Sequence, residues 1–434
     1  MSPRRVPSFI VFCAIALAIL AGAHPAVAQT VPAPVPVPDP SDVFFNDSVL
    51  HEIRLSINSK DWETLKTNFL ANDYYPCDFK SGSDTVRNVG IRSRGTGSRS
   101  GVKPGLRVDF DRYTSNQKFL GLKSLVLRNN TQDQSNLHER LSMLFFKRQG
   151  VIVSSREAHA KLYVNNVYAG LYTIVESIDK TFLQKNLAED SGTLYKYDYN
   201  PSDLPYYFGY KGSDSALYVP SPFKPETNET DPKPAALVDM IRTVSEASST
   251  LFRQQMAPFI DFTKFVKHVA IEIFLGDNDG FIGNWGMNNF YIYNYNNQNL
   301  FTIIPWDKSN TFMDGPTYPI FHNINDVPEA NRNRLMTRVL ADTELRNLFL
   351  DTLLECARSA SEPLVTTPET SPVDTRGWLE REIEREYAQI ADAALADTTK
   401  AYTNAEFTAA VEALRVFARQ RSDYVKAAVA NARP

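Results

Sequence analysis

The alternation of apolar and polar residues changes character partway along the chain. Residues 49–57 (VLHEIRLSI) alternate, as do 86–95, 106–113 and 122–130. Such alternation puts one face of a strand on a core and the other toward water. The stretch SKDWETLKTNF instead spaces Trp62, Leu65 and Phe69 at helical intervals, with Ser59 as the expected N-cap. Residues 135–150 (SNLHERLSMLFFKRQG) repeat the helical period and stop at Gly150. Residues 159–177 read as two strands folded back at Asn165-Asn166, because asparagine tolerates the left-handed backbone of a two-residue turn. Beyond Ile178 helical patterns cover 237–256 and 262–275, a strand pair leads to Asp307, and the chain after Asn325 is almost wholly helical. The expected fold class is α+β, with a mixed strand-and-helix N-terminal lobe over 43–177 and a mainly helical C-terminal lobe over 178–434. Residues 200–234, rich in Pro, Ser, Asp and Tyr, are expected to form a long surface insertion packed down by the aromatic run at 206–210.

The first 42 residues stand apart from this pattern. Arg4 and Arg5, an apolar run over 9–23 and the small residues Ala26–Ala28 together predict a signal peptide over 1–28, and hence a secreted or extracytoplasmic protein. The apolar run is short for a bilayer span, and no later segment is apolar for long enough. Proline at alternate positions makes 29–42 an expected extended linker. Cys77 and Cys356 would remain after cleavage, either paired or as two buried thiols. A net charge of −4 gives no electrostatic basis for binding nucleic acid.

Candidate chemistry concentrates in DNDGFIGN, residues 277–284. Asp279 and Asn284 lie five apart in a loop after a helix, and Asp307 ends the hairpin that follows. Helix, D-x4-N loop, hairpin and a second Asp is the order of parts in a protein-kinase catalytic lobe. A hard cation needs oxygen ligands, which Asn284 and Asp307 would supply, while a base at Asp279 must stand clear of the metal to face the acceptor. Upstream, RGTGSRSG carries Gly95, Gly97 and Gly101 between two strands, either as a phosphate cradle or as a plain glycine-rich turn. Lys103 or Arg107 in the next strand would bring positive charge to phosphates, and Glu139 would pair with it or lie on a solvated helix face. TIVESID, with Glu176 and Asp179, falls where an inter-lobe hinge would lie. The six histidines show no zinc-ligand spacing, RGTGSRSG lacks the ending of a P-loop, and no G-x-S-x-G elbow is present.

Several ordered segments resemble one family. NVGIRSRGTGS, FLGLKSLVLRNN, LHERLSMLFFKRQGV, AKLYVNNVYAGLYTIVESIDKTFL, GTLYKYD, LGDNDGFIGN, NNFYIYN and IIPWDKSNTF together look like the CotH (spore coat protein H) kinase family, over roughly residues 53–312. The resemblance implies a two-lobed, atypical protein-kinase-like fold that uses ATP and Mg²⁺. It would transfer the γ-phosphate to Ser or Thr of a coat or cell-surface protein. By the same resemblance Asp279 is the catalytic base and Asn284 and Asp307 hold the metal. Gly95, Gly97, Lys103, Arg107, Glu139 and Glu176 would then serve the nucleotide. The sequence departs from the family at Pro104, where a lysine is expected, at Ser309, where an acid follows PWD, and at Met287-Asn288, where a histidine precedes the strand. The phosphate-contacting base therefore stays open between Lys103 and Arg107. A non-catalytic structural or adhesive protein on the same scaffold is the alternative, and a small-molecule or carbohydrate acceptor a further one.

Overall fold

Seven strands close into a barrel in the computed structural model, which describes Met1 and residues 39–150, 153–198, 205–364 and 374–433. The expected signal peptide beyond Met1 and the linker up to Pro38 lie outside the described residues. The strands are β1 (His51–Ile57), β2 (Tyr75–Ser81), β3 (Asp84–Ser93), β4 (Leu106–Asp109), β5 (Ser124–Arg128), β6 (Glu157–Val164) and β7 (Val167–Glu176). Their order is β1-β2-β3-β4-β5-β7-β6, with antiparallel neighbours except where β6 closes on β1 in parallel. Alternate residues point inward, so Ile53 and Leu55, Val89 and Ile91, and Leu125 and Leu127 fill the interior. Phe44, Phe79, Phe110 and Phe119 pack edge-to-face or stacked inside it, with Phe44 and Phe119 centred 4.9 Å apart. Asn165 and Asn166, at φ 49° and 66°, make the β6–β7 turn that their sequence predicts. β2 carries only Cys77 and Phe79 as buried apolar residues, too short an alternation to read from sequence.

Two boundaries differ from expectation. Helix α1 (Ser59–Thr67) is capped by Asn58, whose Oδ1 accepts from the Lys60 amide at 2.9 Å, one residue before Ser59. Residues 40–43, expected as linker up to Asp42, form a 3-10 turn capped by Asp39.

Helix α2 (His138–Arg148) leaves the barrel to join the larger helical core, where Phe145 stacks on Phe274 at 5.3 Å. That core contains α4 (Ala235–Glu246), α5 (Phe252–Met256), α6 (Phe262–Leu275), α7 (Arg334–Ala341), α8 (Thr343–Ala360), α9 (Trp378–Ala396) and α10 (Asn404–Ala432). Between the two cores lie α3 (Lys180–Leu187) and a four-stranded sheet. The sheet comprises β8 (Thr193–Tyr197), β9 (Phe223–Pro225), β10 (Phe290–Asn294) and β11 (Phe301–Pro305), ordered β11-β10-β8-β9. Here the surface insertion expected over 200–234 needs correction. Its described part supplies β9, and Tyr206, Phe208, Tyr218 and Phe223 are buried in the main core. Those aromatics follow no helical or strand period, so only their burial shows that the segment is structural.

Cys77 sits in the barrel and Cys356 in the helical core, both as buried free thiols, and burial pushes the Cys77 thiol up to about 12. Among the described residues no helix is long and apolar enough to cross a membrane.

Candidate functional site

A cleft of about 700 Å³ opens between the barrel and the helical part, and the four-stranded sheet walls it. Its lining includes Arg94, Gly95, Gly97 and Arg107 from the barrel, Ser177–Asp179 after β7, and Asp279, Trp306, Asp307 and Asn310 from the opposite side.

Asp279 is placed by the end of α6. That helix is apolar on nearly every face and stops at Gly276, whose φ of +64° few other residues adopt without strain. The fully buried Arg421 of α10 secures the stop. Its guanidinium donates to the carbonyls of Ile273 (2.6 Å) and Phe274 (2.8 Å) and, across a loop, to those of Pro316 (3.0 Å) and Tyr318 (2.6 Å). In this last turn the Ile273 carbonyl receives the Gly276 cap amide at 3.2 Å, and the buried cation adds donors where the helix runs out of them and complements its dipole. Past Gly276, Asp277 turns inward and meets Lys308 at 2.8 Å. Lys308 also reaches Glu272 at 2.5 Å, and His268 lies 3.0 Å from Glu272. All four side chains are buried. Burial opposes charge on Glu272, but Lys308 and His268 outweigh it and hold the carboxyl at about 2. Burial pushes Asp277 up. The cluster clamps the start of the loop, and Asp277 accepts from the Asp279 amide at 3.1 Å.

The Asp279 carboxylate then receives three side-chain amides, from Asn288 (2.9 Å), Asn289 (2.9 Å) and Asn310 (3.0 Å). Burial raises its pKa and Asp307 adds to the rise, while the amides of Asn288 and Asn310 oppose it. The result is an oriented carboxylate that is more basic than an exposed one.

Asp307 follows β11 in the left-handed region, at φ 52°, a conformation unusual for Asp and frequent at sites under functional constraint. Arg128, at the end of β5, contacts it at 2.7 Å, and Ser309 donates to it at 3.1 Å. Burial works against its charge, but Arg128 and Arg94 prevail and hold it at about 2. Glu139 of α2 meets the other side of Arg128 at 3.2 Å, so Glu139 pairs with Arg128 rather than with Lys103 or Arg107.

The glycine loop is shaped by the barrel. Arg94 bonds back to the Gly105 carbonyl at 2.9 Å, and Gly95 adopts φ +116°. Asn129 holds the far side by donating to the carbonyls of Ser98 and Lys103, each at 2.8 Å. Gly95 and Gly97 line the cleft.

The site residues expected from sequence are thus only partly brought together. Asp279, Asp307, Gly95, Gly97 and Arg107 share the cleft. Lys103 does not: its Nζ lies 2.7 Å from Asp397, both side chains are 1% exposed, and it rests over the Tyr172 ring. Lys103 lies in the loop before β4 rather than in the strand, and Asp397, just past the end of α9, takes its charge. Asn284 also lies outside the cleft. Its Oδ1 accepts from His322 (2.7 Å) and Asn323 (2.9 Å), leaving no oxygen for a metal shared with Asp307. Glu176 turns away to Arg156, while the backbone after it lines the cleft. Residues missed by sequence reasoning are Arg94, Arg128, Asn288, Asn289 and Asn310. The Asn pair before β10 and the Asn three residues after Asp307 were visible in the chain, but only the fold aims them at Asp279.

Magnesium commonly takes one or two carboxylates and completes its shell with phosphate and water oxygens. Asp307 meets that description, together with Asn310, whose amide oxygen accepts no hydrogen bond among the described residues, while both oxygens of Asp279 are taken by the three amides. No group of three His, Cys, Asp or Glu side chains gathers there among the described residues, so the donors suit a phosphate-borne ion rather than an all-protein cage.

These features define a mixed α+β protein with a glycine-containing loop and two acids lining one cleft. The profile of the CotH kinase protein family matches residues 91–425, and the chain belongs to that family. It is also 24% identical over 390 residues to the inner spore coat protein H of Bacillus subtilis (strain 168), covering 88% of this chain and 98% of that protein.

Proposed function

We propose that this protein is a secreted, two-lobed, kinase-like phosphotransferase that uses Mg²⁺ and ATP to phosphorylate Ser or Thr of a coat or cell-surface protein. The observation that carries the reading is the convergence of Gly95, Gly97, Arg94 and Arg107 with Asp279 and Asp307 on one cleft. In this reading the loop amides and the two arginines hold the phosphates and offset charge on the transferring group. Asp279, fixed by its three asparagines, accepts the proton of the acceptor hydroxyl. Asp307, with Asn310 beside it, would hold Mg²⁺, which would supply positive charge to the phosphates. Arg128 keeps Asp307 ionised and aimed, with Glu139 backing Arg128 in turn. The signal-like N-terminus and the spore-coat name of the Bacillus relative support export and a coat or surface partner.

One observation favours a second reading, a non-catalytic coat or adhesive protein. The Asp307 carboxylate is already neutralised by Arg128 at 2.7 Å, which competes with a cation. Titration calorimetry with ATP, with and without Mg²⁺, separates the two. A catalytic protein shows Mg²⁺-dependent affinity that Asp307→Ala removes, and it transfers label from γ-labelled ATP. Absence of nucleotide binding, or equal Mg²⁺-dependent affinity in Asp307→Ala, overturns the metal assignment.

A further inference from the structure

Asn284 is better explained by what stands next to it. Gly283 and Gly286 exchange backbone hydrogen bonds of 3.1 and 3.3 Å, closing a two-residue turn with Asn284 and Trp285 at its tip. Gly286 needs its φ of +93°, and a Cβ on Gly283 would stand 3.0 Å from the Asn278 carbonyl oxygen. The turn is anchored from outside. The Asn284 amide donates to the Asn278 carbonyl at 2.8 Å, and its side chain is held by His322 and Asn323. His322 is itself fixed by Asp326 at 3.0 Å. With Asn284 locked, the indole of Trp285 is presented rather than left to wander, and 54% of the residue stays exposed.

Met313 is its counterpart. It is 53% exposed, and both residues line the cleft that holds Asp279. Each follows an acid of the site by six residues, Trp285 after Asp279 and Met313 after Asp307. Uncharged amides of Asn278, Asn288 and Asn310 line the cleft beside Asp279 and Asp307, while further charged lining residues, among them Arg92, Lys196 and Lys224, come from β3, β8 and β9. An acceptor approaching Asp279 therefore meets two exposed apolar side chains among neutral amides, with Asp314 beside Met313 already engaged by the Asn278 amide at 3.0 Å. Two large apolar side chains left in water at one cleft, one of them displayed by a braced turn, form a recognition surface open to apolar contact.

We infer that Trp285 and Met313 select the acceptor, taking a polypeptide segment that carries a bulky apolar side chain beside the hydroxyl to be phosphorylated. The inference deepens the phosphotransfer reading and rests on it. It also gives Asn284 a positioning role, as the anchor of the turn that displays Trp285.

The test uses the full chain and two synthetic heptapeptides with a central serine, identical except for leucine or alanine on both sides of it. The leucine peptide should be used with kcat/KM roughly tenfold or more above the alanine peptide, the scale at which apolar contacts discriminate. Trp285→Ala and Met313→Ala should each draw the ratio toward one, and Trp285→Phe should retain most of it. The ratio for two peptides on one enzyme cancels changes in folded fraction or nucleotide handling. Asn284→Ala should reduce it as well, because the turn loses its anchor. A parallel binding measurement follows tryptophan fluorescence as either peptide is added with Mg²⁺ and a non-hydrolysable ATP analogue. The leucine peptide should change the emission, and Trp285→Phe should abolish that change. Equal use and equal binding of the two peptides, a preference that survives Trp285→Ala, or an emission change caused by the nucleotide alone would each overturn the inference. Failure to bind Mg-ATP would instead overturn the reading beneath it.

Discussion

Lys308→Met should be among the most destabilising single changes in this protein, and its cost should depend on pH in a particular direction. The lysine is fully buried and lies between Glu272 at 2.5 Å and Asp277 at 2.8 Å. Methionine fills similar space but leaves Asp277 without a cation and Glu272 with His268 alone. Glu272, held at about 2 against an ordinary 4.5, contributes roughly 3 kcal/mol at neutral pH at about 1.4 kcal/mol per pH decade. Breaking a buried pair by removing one partner typically costs about 3–5 kcal/mol, so the two routes agree. The sign follows from linkage. In the wild type the depressed carboxyl stabilises above the unfolded value of 4.5, and this is lost as pH falls through about 2. In the variant His268 alone opposes the burial of the same carboxyl, so ionising it at neutral pH carries a penalty that is relieved as pH falls toward 4.5. The deficit of Lys308→Met should therefore be largest near pH 7, narrow toward pH 4.5, and narrow further in stronger acid. Urea unfolding of both proteins between pH 7 and pH 4.5, followed by circular dichroism, measures it. A loss under about 1 kcal/mol, or a deficit that grows as pH falls, would refute the argument that the lysine carries two charged partners. Neutralising all three as Glu272→Gln, Asp277→Asn and Lys308→Met should recover part of the loss.

Other outcomes follow from the same geometry. Asp279→Asn should keep the fold and Mg-ATP binding while transfer falls by roughly 10²-fold or more, as a combined thermal melt and label-transfer assay would show. For the wild type, the rise of kcat/KM with pH should have its midpoint above the ordinary 3.8 of an aspartate, because burial raises the Asp279 pKa and the base must be deprotonated. Lys103→Met should lower stability by up to about 3–5 kcal/mol, since Asp397 would be left buried and unpaired, yet leave ATP affinity in place. Arg94→Ala should do the reverse, weakening ATP binding in calorimetry with a smaller effect on unfolding, because its side chain faces the cleft.

Several parts of this architecture were legible along the chain. Alternation marked the strands of the barrel apart from β2, and Asn165-Asn166 marked the hairpin because a two-residue turn needs left-handed backbone that asparagine accepts. The helical run of α6 and the positions of Asp279 and Asp307 after a helix and a hairpin were equally local facts. Short-range sterics and the burial of one face fix such features within a few residues, so a linear reading reaches them. Partner choice was different. Lys103 and Arg94 carry the same charge nine residues apart, yet one is sealed against Asp397 and the other faces the cleft. Asn284 has the spacing of a metal ligand, but His322 and Asn323 arrive from a distant loop and take its oxygen. Arg128 reaches Asp307 across 179 residues of chain, and Glu139 with it, because the outer face of β5 packs on the four-stranded sheet, where Val126 shares an apolar cluster with Ile304 and Trp306. Spacing sets which side chains can reach a site. Which of them do is decided by long-range packing, because a charge must find its partner in whatever place the folded chain excludes water.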